Sequence, residues 1–481
     1  MSWRRGNLAV CFQLGLASCA AADSLTGIGW AVRFNRPDQT TTYNSIWPDE
    51  YVIRDAFLAR IDALASNDWA CLAAYTFSGN SESAGAAGPV LAAMSNALAR
   101  GARLGFVADK SISLTSNFWP GVSLTGLAQR AVNPLQLSRA PSDGGIMHDK
   151  VGVFWYRAAT QAWVLTGSWN FTGGASSYQW NILAEIQDNG LAAAYSNEMR
   201  ELLSGRFHAS TNKAHAHDGT RFRLADSPRD GWVRFAPYPD PAYGGSNALT
   251  DIVGAIDAAT NQIVFALNKL TRPDVVAALI RACDRGVRVH GAIPQSDRST
   301  TNGDSYAMAQ MLAASTNYAG TNRVWLYEAY STAGRKAYDT GESDLIHAKY
   351  MVIDPDGADP LVIHGSANWT EAALVADDSN DENLLFLPHA GIAQAFAAQF
   401  NAMTDGLVPR GALWTAGTSA SSRFWYWLPD DRPCELVSTT NLLAGAAWTN
   451  RVLLLPAGRG TNSLILTNSL PAGFYRIRQL P

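Results

Sequence analysis

Hydrophobic positions along this chain alternate between two spacings. Stretches with helical spacing, such as EYVIRDAFLARIDALA, are followed by short and nearly continuous apolar runs, such as DWACLAAYTF. Helical spacing predicts an amphipathic helix, and a short apolar run bounded by polar residues predicts a buried strand. The repeated helix-then-strand order predicts an α/β fold in which helices cover a mixed β-sheet.

This order of elements occurs twice. GIGWAVRFNRPD at 27–38 resembles DGWVRFAPYPD at 230–240, and PVLAAMSNALARGARLGFVAD resembles PDVVAALIRACDRGVRVHGAI. In each copy a strand with His and Lys follows, then VLTGSWNFT or VIHGSANWT, then a last apolar strand. Self-similarity of this length indicates a duplicated unit. We therefore predict two α/β halves at 27–203 and 230–404, joined by a polar connector at 204–229.

The two ends of the chain have other patterns. Residues 1–22 combine Arg4 and Arg5 with a short apolar run and small residues, which predicts a secretion signal. Cleavage after AAA is our preferred interpretation, and the alternative is a lipoprotein signal in which LASC places a lipid on Cys19. Both predict export to the periplasm or the extracellular space. Residues 405–481 show short alternating runs split by Gly, Pro and Asn, which predicts a small all-β module.

Composition narrows the classes of partner. A net charge of −4 and a pI near 6.1 argue against a surface coated with positive charge for non-specific nucleic-acid binding. Tryptophan-containing loops, SNFWPG and SSYQW, are candidates for contact with a lipid surface or for stacking on bases. His215 and His217 are interpreted as solvated linker residues, because no Cys or carboxylate cluster accompanies them. No metal and no cofactor is predicted.

A histidine and a lysine recur together in each half. His148 and Lys150, like His347 and Lys349, are two positions apart, so on a strand each pair points to one face. A Gly-Ser-x-Asn segment follows each pair, and the His-to-Asn separations are 22 and 21 residues. The two segments contain Gly167, Ser168 and Asn170 in the first half and Gly365, Ser366 and Asn368 in the second.

These residue types together suit the cleavage of a phosphodiester. Lys supplies positive charge, and Ser and Asn supply hydrogen bonds to the non-bridging oxygens. One neutral imidazole can attack phosphorus, while the other, protonated, gives a proton to the leaving alcohol. The interface between the two halves, called the seam below, gives the two imidazoles two different environments. Because the lysines supply the charge stabilisation, the chemistry requires no bound metal.

The segment HAKYMVID, followed by GSANWT and DEN, resembles the signature of the phospholipase D superfamily, and HDKVGVFW with GSWNFT resembles a degraded copy. The resemblance covers roughly residues 28–400. It implies two α/β halves with the active site at their interface and a phosphohistidine intermediate. It implies catalytic roles for His148, Lys150, Asn170, His347, Lys349 and Asn368, supporting substrate contacts from Ser168 and Ser366, and structural roles for Gly167, Gly365 and Asp354. His148 is assigned as the nucleophile and His347 as the general acid.

The first half departs from this pattern at two places. Trp155 stands where the second half has Asp354, and QWN at 179–181 stands where the second half has DEN at 381–383. Glu382 is therefore the carboxylate that we expect to orient the nucleophile across the seam. Asp354 lies an odd number of positions after the lysine, on the opposite strand face. We expect it to bind backbone donors at the strand end, and Trp155 to hold the equivalent end by burial.

The leading functional prediction is a metal-independent phosphodiesterase that hydrolyses phospholipid head groups. Peripheral contact with a membrane surface is part of this prediction. It is predicted to be a monomer with an internal pseudo-dimer. A secreted nuclease of the same superfamily, a synthase that transfers a phosphatidyl group to an alcohol, and a non-catalytic phosphate-binding protein are the alternatives.

Overall fold

The computed structural model describes residues 24–35, 51–79, 86–118, 121–177, 179–209, 217–238, 247–294, 324–329, 346–375 and 379–404, and the backbone of six strands between 413 and 479. The predicted secretion signal, with Cys19, and His215 lie outside the described residues.

The first half is built on an eight-stranded mixed sheet in the order β1-β2-β8-β7-β6-β3-β4-β5. Its strands are β1 (Ser24–Gly27), β2 (Trp30–Phe34), β3 (Trp69–Ala74), β4 (Arg103–Ala108), β5 (Gln136–Arg139), β6 (Val151–Tyr156), β7 (Gln161–Gly167) and β8 (Ile182–Gln187). Its helices are α1 (Val52–Asp62), α2 (Ala87–Ala99), α3 (Leu124–Ala128), α4 (Gly173–Ser177) and α5 (Asn189–Leu203).

The second half is built on another eight-stranded sheet, in the order β13-β12-β11-β14-β15-β16-β10-β9. Its strands are β9 (Arg221–Phe222), β10 (Gly231–Ala236), β11 (Gln262–Leu267), β12 (Arg288–Pro294), β13 (Val324–Ala329), β14 (Lys349–Ile353), β15 (Leu361–Gly365) and β16 (Glu382–Leu387). Its helices are α6 (Ala248–Ala258), α7 (Pro273–Asp284), α8 (Glu371–Leu374) and α9 (Ala390–Thr404).

The two sheets repeat one topology, which confirms the predicted α/β duplication. In each, two parallel strand pairs, β3-β4-β5 or β11-β12-β13, continue into antiparallel strands. The connections of parallel strands that the structure describes, β3-α2-β4, β4-α3-β5 and β11-α7-β12, each contain a helix, because a parallel connection must cross from one end of the sheet to the other. Helices α6 and α7 begin at clear signals: Asn247 and Thr250 form a capping box, and Pro273 occupies the first turn of α7.

Three apolar cores hold the layers together. One lies under α1 and α2, a second under α6 and α7, and the third lies between the two sheets. This central core includes Tyr195 and Met199 of α5 and Phe396 and Phe400 of α9, together with strand residues of both halves. The seam between the halves is therefore a continuous hydrophobic core, and it fixes the two halves relative to each other.

The described residues of the connector predicted at 204–229 contact both halves. Strand β9, within it, pairs with β10 and extends the second sheet. The interpretation of His217 as a solvated linker residue is wrong, because its side chain is buried and its Nε2 lies 2.8 Å from Oε2 of Glu198. No sequence pattern indicated this contact, because Glu198 lies on α5, 19 positions before His217.

The chain after residue 412 contains the strands β17 (Leu413–Thr418), β18 (Ser421–Tyr426), β19 (Cys434–Thr439), β20 (Val452–Leu454), β21 (Asn462–Thr467) and β22 (Phe474–Gln479). They form two three-stranded sheets, β17-β18-β21 and β20-β19-β22. Among the helices that the structure describes, none combines the length and the apolar character needed to cross a bilayer.

Candidate active site

The two histidines lie just before β6 and β14, where the chain enters each strand and contacts the other half. The backbone N–H of His148 donates to the carbonyl of Asp381 at 2.9 Å, and that of His347 donates to the carbonyl of Trp180 at 3.2 Å. Each histidine segment thus pairs with the segment that enters the last strand of the opposite half. This crossed pairing brings both motifs to one place in the seam.

His148 is held by a carboxylate from the other half. Its Nδ1 lies 2.8 Å from the carboxylate of Glu382, which also accepts a hydrogen bond from Ser366 Oγ at 2.7 Å. Both Glu382 and Ser366 are buried. A carboxylate at Nδ1 favours the tautomer whose Nε2 carries a lone pair.

His347 is held by neutral acceptors. Its Nδ1 lies 2.9 Å from the carbonyl oxygen of Ser168 and 3.0 Å from Oδ1 of Asn181. The Asn181 amide is oriented because its Nδ2 donates to the carbonyl of Ala175 at 2.9 Å and its Oδ1 accepts from Ser168 Oγ at 2.8 Å. The same tautomer is therefore favoured at both histidines, by a charged group at one and by an amide at the other.

Asn181 was missed because the sequence alignment of the two halves was shifted by one residue. The alignment set Trp180 opposite Glu382 and Asn181 opposite Asn383. In the structure Ser168 N–H donates to Ile182 and Ser366 N–H donates to Asn383, so Ile182 corresponds to Asn383. The segment from Gly167 to Ile182 is three residues shorter than the corresponding segment from Gly365 to Asn383, and matching asparagine to asparagine concealed that difference.

Gly167 and Gly365 fix this register. A β-carbon at Gly167 would lie 2.0 Å from the carbonyl oxygen of Ile182, and one at Gly365 would lie 2.2 Å from that of Asn383. Only glycine permits such an approach of two backbones. The close contact sets which residue of the neighbouring strand entrance faces each histidine.

Ser168 and Ser366, expected to contact substrate, have other partners. Both side chains are fully buried, and each hydroxyl donates to the group that holds a histidine, Asn181 or Glu382. Ser168 Oγ also accepts the backbone N–H of Ile182 at 3.1 Å, and Ser366 Oγ accepts that of Asn383 at 3.0 Å. Through these bonds each hydroxyl fixes the orientation of the group that holds a histidine.

The two lysines bring charge to both imidazoles. Lys150 Nζ donates to the carbonyl of His148 at 2.6 Å, and Lys349 Nζ donates to that of His347 at 2.7 Å. Burial, reinforced by both lysines, holds the pKa of His148 and of His347 well below the usual range. Both imidazoles are therefore neutral near pH 7 when no anion is bound.

Burial also shifts two charged partners. It raises the pKa of Glu382 to about 7, against the opposing effect of Lys150. It lowers the pKa of Lys150 to about 8, against the opposing effect of Glu382. Both groups therefore change protonation close to neutral pH.

Two further residues of this site carried no motif in the sequence. Tyr75 packs edge-on against the His148 ring, with 4.7 Å between ring centroids, and its own ring lies 5.0 Å from Lys150 Nζ. Asp109 accepts the backbone N–H of Met147 at 2.9 Å and so fixes the residue before His148. Each follows directly after a strand, β3 or β4, which is the only sequence signal that could have found them.

Asn170 and Asn368 follow the two serines by two positions. The side-chain Oδ1 atoms of both are buried and have no hydrogen-bond partner among the residues that the structure describes. Because an amide can turn over and exchange its oxygen and nitrogen, each can present an N–H donor instead.

Asp354, directly after β14, accepts backbone donors at the start of β11. This agrees with the expectation drawn from its position on the opposite strand face. Its carboxylate accepts the N–H groups of Thr260, Asn261 and Gln262 and the hydroxyl of Thr260, each at 2.8 Å. Trp155, at the corresponding place, is only half-buried, and its Nε1 donates to Ser196.

In the first half a different residue supplies the missing carboxylate. Asp68, directly before the neighbouring strand β3, accepts the N–H of Ala65 and that of Arg157, each at 2.8 Å. In the second half the carboxylate follows the end of β14, whereas in the first half it precedes the start of β3, the neighbour of β6. Trp155 was expected to hold this strand end by burial; its ring is half-buried, and Asp68 supplies a carboxylate beside it.

The proposed contact of SSYQW with a lipid surface or with bases does not fit the fold at Trp180. This side chain is buried in the central core. Trp180 corresponds by its backbone pairing to Asp381, since each forms a bridge to the residue before a motif histidine.

Comparisons with known proteins agree with this geometry. The family described as "Cardiolipin synthase, PLD-like domain" matches residues 66–203 and 252–404. The search of curated proteins returned no match. Among solved structures, the chain is similar to phosphatidylserine synthase of Haemophilus influenzae Rd KW20, with a TM-score of 0.54 and 10% identity over 75% of this chain and 86% of that chain.

Two other solved structures are similar in part. Nuc, a phospholipase D family member from Salmonella typhimurium, is 24% identical, with a TM-score of 0.28 over 37% of this chain and 96% of that chain. Polyphosphate kinase from Porphyromonas gingivalis is 13% identical, with a TM-score of 0.44 over 72% of this chain and 44% of that chain, so this chain spans less than half of its length. Because the family match covers more than half of the chain and includes both histidine motifs, the chain belongs to the phospholipase D-like family described as "Cardiolipin synthase, PLD-like domain".

Proposed function

We propose that the protein is a metal-independent phosphodiesterase that works through a phosphohistidine on His148. The observation that carries the proposal is that the Nδ1 atoms of His148 and His347 are both held by fixed acceptors. Each Nε2 is then left for the substrate, and both lysines act on both rings. Two neutral imidazoles with defined tautomers can divide nucleophilic attack and proton transfer between them.

The first step forms the covalent intermediate. Nε2 of His148 attacks phosphorus while the bond from phosphorus to the leaving oxygen breaks. His347, protonated at Nε2, gives that proton to the leaving alcohol. A bound diester carries one negative charge, which offsets the lysines and raises the pKa of His347 relative to the substrate-free protein.

The second step releases the product. Neutral His347 takes a proton from water as the water oxygen attacks phosphorus, and the bond to Nε2 of His148 breaks. An alcohol in place of water would give transfer instead of hydrolysis. Lys150 and Lys349 stabilise the non-bridging oxygens in both steps, and the amides of Asn170 and Asn368 are positioned to donate to them.

The charge beside each ring supports the division of roles. A phosphorylated imidazole carries positive charge, which the Glu382 carboxylate stabilises at His148. His347 faces the neutral Asn181, which stabilises an imidazolium less and so leaves a stronger acid. We therefore assign His148 as nucleophile and His347 as general acid and then base.

Phospholipid is the substrate that we favour over nucleic acid. The net charge of −4 gives no general attraction for a polyanion, whereas a diester in a head group needs only the local charge of the two lysines. Hydrolysis of a nucleic acid by the same seam is the second candidate, since the chemistry at phosphorus is identical.

The test is hydrolysis of phosphatidylcholine, cardiolipin and single-stranded DNA side by side with EDTA present, at a temperature well below the melting transition. We expect lipid turnover and a trapped phosphoryl group on His148. Turnover of DNA alone would replace the substrate assignment. Loss of all activity with EDTA, restored by one divalent ion, would disprove the mechanism, and saturable binding without turnover would leave a phosphate-binding protein.

We also propose that the protein is exported, on the basis of the pattern at residues 1–22. Sequencing the mature N-terminus would test this: a start near Asp23 indicates simple cleavage, a lipid-blocked Cys19 indicates anchoring, and an intact Met1 contradicts export.

A further inference from the structure

His217 lies against two carboxylates that are not near it in the sequence. Its Nε2 is 2.8 Å from Oε2 of Glu198, and both side chains are buried. Glu201 lies three positions after Glu198, so that the two face the same side of α5. Ligand atoms of all three residues lie within 4.8 Å of one another.

This spacing is close to that of a metal site. Zinc binds histidine nitrogen and carboxylate oxygen at about 2.0–2.2 Å, which sets tetrahedral ligand atoms roughly 3.4 Å apart. Small side-chain rotations would bring the three atoms to that separation. A mixed set of one imidazole and two carboxylates suits zinc-class ions, whereas magnesium and calcium prefer oxygen ligands alone.

The two sides of the cluster belong to different parts of the fold. Glu198 and Glu201 are on α5 of the first half. The backbone after His217 is fastened to β10 of the second half, since Gly219 N–H donates to Val233 and Asp218 accepts the N–H of Phe235. A ligand shared by the three side chains would therefore join the halves beside the seam.

We propose that His217, Glu198 and Glu201 form a binding site for one divalent cation of the zinc class, with water completing the coordination, and that the bound ion fastens the connector to α5. Binding displaces the proton shared by His217 and Glu198, and it changes no oxidation state. The site is separate from the two histidines of the seam, so the proposal stands or falls independently of the proposed activity.

The experiment uses the full chain after removal of metals, and Zn²⁺ alone as the probe. We expect Zn²⁺ to raise the melting temperature by several degrees, because an ion that binds only the folded state stabilises it. Co²⁺ at one equivalent should give the visible absorption of a tetrahedral complex. Initial rates of diester hydrolysis at low temperature should stay the same with and without Zn²⁺.

Two variants and one matched control decide the assignment. Glu201→Gln and His217→Asn should each abolish the Zn²⁺ shift, and the metal-free melting temperature of Glu201→Gln should stay close to that of the parent. The control is His389→Asn, because His389 pairs with a single carboxylate, Asp226, at 3.0 Å. It should keep the shift. The absence of a shift in the parent chain, or an equal shift in Glu201→Gln, would overturn the proposal.

Discussion

Glu382 and His148 are 234 positions apart, and the structure joins them by a hydrogen bond of 2.8 Å across the seam between the two halves. The first half has no carboxylate at the corresponding place, where Asn181 holds His347. One imidazole is thus backed by a group that can carry charge and the other by a group that cannot. This difference, in a fold that otherwise repeats itself, underlies most of the tests below.

The pH dependence of turnover should be bell-shaped and narrow. Burial raises the pKa of Glu382 to about 7, so below that pH Glu382 is protonated, donates to His148 Nδ1 and favours the tautomer without a lone pair on Nε2. Burial lowers the pKa of Lys150 to about 8, so above that pH its charge is lost. A profile of kcat/KM against pH should rise toward 7 and fall beyond 8. A flat profile from pH 5 to pH 10 would contradict both assignments.

Asn181→Asp should alter the acid-base behaviour of His347 and leave the nucleophile in place. A carboxylate at Nδ1 raises the pKa of His347. In the kcat profile, which reports the enzyme–substrate complex, the pH at which His347 loses its proton should therefore move up. Glu382→Gln is the matched change on the other side. It should lower kcat/KM on the order of 10²-fold, because the neutral amide stabilises the charged phosphohistidine less. Equal effects of the two variants on the profile would argue against different roles for the histidines.

A diester whose leaving group needs no proton should distinguish the roles of the two histidines. His148→Ala and His347→Ala should each lower turnover of a natural diester by on the order of 10³ or more. With a nitrophenyl diester, His347→Ala should still release a burst of nitrophenol, whereas His148→Ala should release none. His389→Asn, which alters a histidine outside the site, is the control. A burst from His148→Ala alone would reverse the assignment.

The strand ends beside Trp155 and Asp354 should affect stability more than chemistry. Asp354→Ala leaves three backbone N–H groups without their acceptor and should cost about 2–4 kcal/mol of unfolding free energy. Asp68→Ala should destabilise the first half in the same manner. Trp155→Asp should lower the melting temperature without raising turnover, because it replaces a half-buried ring, whose Nε1 donates to Ser196, by a carboxylate.

Melting temperature and turnover of the folded fraction should be measured for all three of these variants. A Trp155→Asp protein that melts like the parent and turns over several-fold faster would show that the first motif is a damaged site.

The sequence by itself determined the duplication, the α/β class of both halves and the candidate residues that the fold brings together at the seam. These follow from local patterns: the helical and strand periods are properties of short segments, and the two copies of His-x-Lys and Gly-Ser-x-Asn can be compared directly. The strand face of Asp354 was also readable, because side chains alternate along a strand. The expectation that Glu382 reaches His148 agrees with the geometry, and its catalytic role stays a prediction.

Only the tertiary structure decided which residue faces His347, which acid secures the first strand end and where His217 lies. Asn181 faces His347 because Gly167 lets two backbones approach, and that register depends on a contact that matching letters cannot reveal. Asp68, directly before β3, supplies the carboxylate that the first motif lacks, and Glu198 and Glu201 reach His217 from α5. Each of these contacts joins residues that the packing of strands and helices brings together, and such pairs leave no periodic signal along the chain.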